Sequence, residues 1–131
     1  MDQRLRDFFD RELERVLHAM PQRVVQLLDE VPLHVEDYPA DEVLQSLDVA
    51  DREDLCGLYT GIPLTHRHIQ LSGNLPDVVT IYREGVMRLA SNKQGHLDQQ
   101  ELRRQIRITL LHELAHHHGI DEDELRELGY G

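Results

Sequence analysis

Leu5, Phe8, Phe9, Leu13, Val16, Leu17 and Met20 recur at three- and four-residue intervals among charged positions. That spacing predicts an amphipathic helix with one core-facing stripe. Pro21 suits the first turn of a second helix, in which Val24, Val25, Leu27 and Leu28 are apolar and which ends at Asp29 or Glu30. Val31 to Asp37 then alternates as a strand does, with Pro32 marking its start or an edge, and His34 reads as a surface residue of that strand. Pro39 to Asp54 is acidic and irregular, with a short helix around Asp41 to Leu47 and no chemistry in view. Leu55 to Thr60 is a short apolar strand closed by Gly61-Ile62-Pro63. Val78 to Tyr82, rich in β-branched residues and ending in an aromatic one, is the clearest strand. Tyr82 belongs to its packing. A short helix over Gly85 to Ala90 and a polar turn over Ser91 to Gly95 follow.

The last long helix is announced by Asp98 and Glu101, spaced as a capping box. Leu102, Ile106, Leu110 and Leu114 form one stripe, and Ile108, Leu111 and Ala115 cover the other side. A helix apolar nearly all round is a buried one. Leu125 and Leu128 close a short C-terminal helix. Helices and strands follow one another without internal repeats, low-complexity stretches or a linker.

The chemistry lies on that buried helix, at His112-Glu113-Leu114-Ala115-His116. Residues four apart share a helical face, so two imidazole nitrogens from His112 and His116 can reach one ion. Glu113 sits about 100° round from His112 at 3.6 residues per turn, beside the metal without being required as a ligand. A carboxylate so placed can take a proton from metal-activated water and hand it to a leaving amine. Gly119, three residues after His116, can adopt the left-handed conformation that ends a helix and turns the chain back. The extended zinc-peptidase pattern H-E-x-x-H-x-x-G-x-x-H then ends here at Glu122, an oxygen donor in place of a third histidine. Two histidines and a carboxylate leave a fourth zinc position for water, as catalytic zinc requires. A neighbouring acid is the alternative third ligand.

Other residues are weighed against this set. Gln105 and Thr109 share the histidine face and are placed to line the cleft floor or support the ligands. His117 and His118 point away from His112 and His116, which suits packing or support rather than ligation. His66 and His68, two apart, share one face of an extended segment and read as solvated residues more readily than as substrate contacts. Tyr130 could donate a proton or stabilise an oxyanion, or lie at a frayed terminus.

His112 to Gly129, together with Leu55 to Leu64 and Leu75 to Arg83, resembles the small bacterial zincin-like metallopeptidases, and the likeness runs from about residue 4 to the end. The resemblance implies a minimal α+β zincin fold, with a small mixed sheet packed on helices, a zinc ion and peptidase chemistry. By motif match His112, His116 and Glu122 would be the ligands and Glu113 the base. It also implies that a peptide substrate adds as a strand to a sheet edge, here Leu55 to Thr60. Two departures are visible. Glutamate stands where aspartate is expected as third ligand, and the chain has no methionine turn after the motif, Met87 lying upstream of it.

Composition narrows the partners. The 131 residues are most simply one domain, residues 1–131, and 40% hydrophobic content fits a folded chain. A net charge of −11, from 14 basic and 25 acidic side chains, argues against nucleic acid and anionic membranes. No apolar run approaches the roughly 18–20 residues that span a bilayer. The absence of a signal-peptide pattern at the N-terminus and the single Cys56, read as a small buried hydrophobe, point to the cytoplasm. The expectation is therefore a zinc-dependent metallopeptidase acting on a peptide or protein substrate. Its rivals are a non-catalytic zinc-binding or protein-interaction module on the same scaffold, and a structural domain that binds no metal. Oligomeric state is left open.

Overall fold

Phe9, Leu13 and Val16 of the first helix meet Leu102, Ile106, Leu110 and Leu114 of the last, and this contact is the centre of the core. The computed structural model describes residues 1–61, 77–118 and Asp123. Among these residues the order is α1 (Gln3–Ala19), α2 (Gln22–Glu30), β1 (Leu33–Glu36), α3 (Asp41–Leu47), a 3-10 turn (Arg52–Asp54), β2 (Gly57–Thr60), β3 (Val78–Tyr82), α4 (Arg83–Leu89) and α5 (Gln99–His118). The α+β class is the one the resemblance implies.

The three strands form one mixed sheet in the order β1-β3-β2. β3 is central, pairing parallel with β1 (Leu33 opposite Val79) and antiparallel with β2 (Gly57 opposite Ile81). Its position explains its composition: Val79, Ile81 and Tyr82 are buried, since a central strand covered on both faces has few solvated positions. β2 lies at an edge of the sheet formed by the described residues.

Several of the helix starts have a visible cause. Asp2 caps α1 by accepting from the Arg4 amide at 2.7 Å. Asp98 caps α5 through the Glu101 amide at 3.0 Å. The reciprocal half of the predicted capping box is not made: the Glu101 carboxylate accepts from Arg104 and Gln105, while the Asp98 amide donates to the Ala90 carbonyl. Pro21 occupies the cap position of α2, one residue before the predicted first turn. α4 begins two residues earlier than its pattern suggests, directly off β3. Arg83 is held there by Asp10 and Asp37, and the Glu84 amide donates to the Asp37 carbonyl.

Ionisable groups also lie inside this frame. Glu12, on the buried face of α1, is 2% exposed; Gln99 donates to it at 2.6 Å, and Arg15 and Arg103 stand 3.6 Å away. The two arginines and the amide offset the desolvation that burying a carboxylate incurs. No helix among the described residues is long and apolar enough to cross a membrane.

Candidate metal centre

α5 is seated by Leu110, Leu111, Leu114 and Ala115, all buried, and this fixes which way the intervening residues point. His112 is half-buried and His116 exposed, one turn apart on the same face, with ring centroids 6.5 Å apart. Glu113 turns inward and is buried. Its Oε1 lies 3.5 Å from His116 Nδ1, and the Tyr59 main-chain amide donates to the carboxylate. Burial pushes the Glu113 carboxyl up to about 7, against the smaller opposing influences of His112 and the Tyr59 amide. Its other oxygen, Oε2, is buried with no hydrogen-bond partner.

The approach of α5 to β2 depends on a glycine. A Cβ at Gly57 would lie 2.8 Å from Thr109 Cγ2, 3.1 Å from Glu113 Cγ and 3.2 Å from the Thr80 carbonyl oxygen. Absence of a side chain there lets the helix settle on the strand, so that the Glu113 carboxylate reaches the Tyr59 backbone. Thr109, expected to line the cleft floor or support the ligands, is the buried side chain at this approach. Gln105 instead turns to Glu101 at 2.8 Å, away from the role the helical wheel offered it.

Beyond the motif, α5 is tied down by polar bonds. His117 is 3% exposed, and its Nδ1 stands 3.2 Å from the Tyr59 hydroxyl, which donates to Asp77 Oδ1 at 2.9 Å. Gly61 covers the cluster with φ at +139°, and a Cβ there would run into the Asp77 carboxylate and the Tyr59 hydroxyl. His117 thus supports the fold, as its direction on the helix implies. Tyr59, Asp77 and Gly57 are the site residues that periodicity alone does not find. In the sequence only their place in the two upstream stretches, Leu55 to Leu64 and Leu75 to Arg83, marks them.

The structure therefore places His112 and His116 on one helical face, with Glu113 turned inward from it against β2. Gly119, Glu122, Leu125, Leu128, His66, His68 and Tyr130 lie outside the described residues. The donor chemistry of the helix fits a zinc ion, with two imidazoles at i and i+4. The buried unpartnered oxygen of Glu113 fits one as well, since a nearby cation favours the ionised form that burial disfavours.

A helix carrying this motif, packed across a small mixed sheet, defines the zincin class of α+β proteins. Residues 28–131 match the family described as zincin-like metallopeptidase, and the chain belongs to that family. α1 precedes the matched span. The family implies zinc as the cofactor. No curated protein matches the chain.

Proposed function

We propose that this protein is a zinc-dependent peptidase in which His112 and His116, with Glu122 as third ligand, hold the ion and Glu113 is the general base. The observation that carries this reading is the position of Glu113: a buried carboxylate, beside His116 and in hydrogen-bond contact with the backbone of edge strand β2. A carboxylate in a structural metal site has no need to be desolvated next to a strand edge. When bound, zinc supplies a Lewis acid that acidifies water and polarises a scissile carbonyl.

The chain's own residues supply the rest. Glu113, held by the Tyr59 amide, accepts the proton of the attacking water and returns it to the leaving amine. The side of β2 that no described strand pairs would accept an extended peptide, which would add to the sheet as a further strand and lie across the histidine face of α5. The interdigitation at Gly57 and Thr109 keeps helix and strand at the spacing this requires.

The test is Glu113→Gln, which keeps the shape and removes the base. Hydrolysis of a peptide library should fall by about 10²–10⁴-fold, with zinc content measured by plasma mass spectrometry unchanged. Undiminished hydrolysis in the variant would rule out this role for Glu113. Zinc binding with no hydrolysis by the native chain would favour the interaction module.

A further inference from the structure

We propose a second cation site, distinct from the motif histidines, formed by Glu30, His117 and His118 where the end of α2 meets the last turn of α5. One ring nitrogen of each histidine and one carboxylate oxygen of Glu30 all lie within 4.8 Å of one another. The two imidazoles stand edge to face, with centroids 4.7 Å apart and planes at 82°. The ring of His117 is already oriented by the Tyr59 hydroxyl, which in turn is held by Asp77. Outer hydrogen bonds of this kind fix the ring of a metal-bound histidine before the ion arrives.

Two independent observations point to a bound group here. The Nε2 of His118 is buried without a hydrogen-bond partner, an arrangement that is unfavourable unless something occupies it. Glu30 is the last residue of α2, and the final turn of that helix carries no basic side chain. A carboxylate at a helix C-terminus faces the negative end of the helix dipole, and a cation coordinated by the lone pair of His118 Nε2 would relieve both.

The donor set selects the ion. Two imidazoles and one carboxylate suit zinc or a similar divalent transition ion, whereas calcium and magnesium prefer oxygen alone. Metal–ligand distances of about 2.0–2.1 Å bring tetrahedral donors to about 3.3 Å from one another. The exposed Glu30 side chain can close that gap by rotating. His117 and His118 lie roughly 100° and 200° round the helix from His116, so this ion does not compete with the one at the motif. Occupied, the site would clamp the C-terminal end of α5 to α2 and so steady the helix that carries His112 and His116.

Zinc stoichiometry decides the matter, measured on untagged chain loaded with zinc and dialysed. Native protein should hold two equivalents and Glu30→Gln one. The double variant His112→Ala/His116→Ala should retain one, which adding His118→Ala removes. The same double variant should melt higher with zinc present, and the His118→Ala addition should abolish that shift. Should the double variant bind no zinc, or bind one equivalent that His118→Ala leaves in place, the proposal is overturned. If the double variant does not fold, Glu30→Gln decides alone, because it changes one exposed side chain: two equivalents retained there would equally overturn the site. Loss of the motif site alone, with this one intact, would count against the peptidase reading and not against this one.

Discussion

One methyl group at position 57 would collide with Thr109, crowd Glu113 and press on the Thr80 carbonyl, all within 3.2 Å. Gly57→Ala should therefore lower stability by about 1–3 kcal/mol, the usual penalty of overpacking, and reduce hydrolysis more than the stability loss explains. Combining it with Thr109→Ser removes the methyl that the new Cβ meets first. Thermal melts of the two single variants and the pair should show a favourable coupling, as expected for residues in contact. Additivity would mean that the strand and helix do not meet through these two side chains. Tyr59→Phe tests the neighbouring cluster. Losing the hydroxyl between His117 and Asp77 should destabilise by about 1–3 kcal/mol, the range for depriving buried polar groups of a partner. A variant as stable as the native chain would show that the hydroxyl does not hold the end of α5.

At the scale of elements, α5 gives the sharpest contrast between pattern and outcome. Its stripe of Leu102, Ile106, Leu110 and Leu114 is buried as the spacing predicts, so Leu110→Ala should cost about 2–5 kcal/mol in denaturant unfolding. Its cap is only half as predicted. Asp98→Ala should cost about 0.5–2 kcal/mol by removing the bond to the Glu101 amide, whereas Glu101→Ala should have a much smaller effect. Equal losses would restore the reciprocal box. Alternation points to β1 and composition to β2 and β3, and β2 is shorter than its apolar stretch because Leu55 follows the 3-10 turn rather than pairing. α4 came out longer, since ion pairs to Arg83 begin the helix two residues before the apolar pattern does. Local spacing carries the period of an element, but its ends are set by whichever distant groups satisfy the first and last polar atoms.

Across the whole molecule, Asp37 is the joint. It accepts from Arg6 of α1 at 2.6 Å and from Arg83 of α4 at 2.9 Å, while Arg83 also reaches Asp10. The Arg6 bond, with Arg83 adding to it, holds the Asp37 carboxyl below its ordinary value of 3.8. A carboxyl lowered in the folded state contributes stability above that unfolded value and loses it as pH falls through the folded one. Asp37→Asn should melt several degrees below the native chain at neutral pH, and the gap should close in acid as the native carboxyl protonates. A gap that persists unchanged at low pH would show that Asp37 acts by packing rather than charge. None of this joint was legible beforehand, because its partners are 31 and 46 residues away in the chain. What the sequence determined by itself is whatever repeats locally: the helical and strand periods, the buried face of α5, and the placing of His112, Glu113 and His116 on one helix, since i, i+1 and i+4 geometry is a property of the helix alone. Tertiary structure decided what depends on distance between elements. It buried Glu113 against the Tyr59 backbone, made Gly57 the point of closest approach, tied His117 to Tyr59 and Asp77, and brought Glu30 to the end of α5. Those are meetings of residues far apart in the chain, and no local period encodes them.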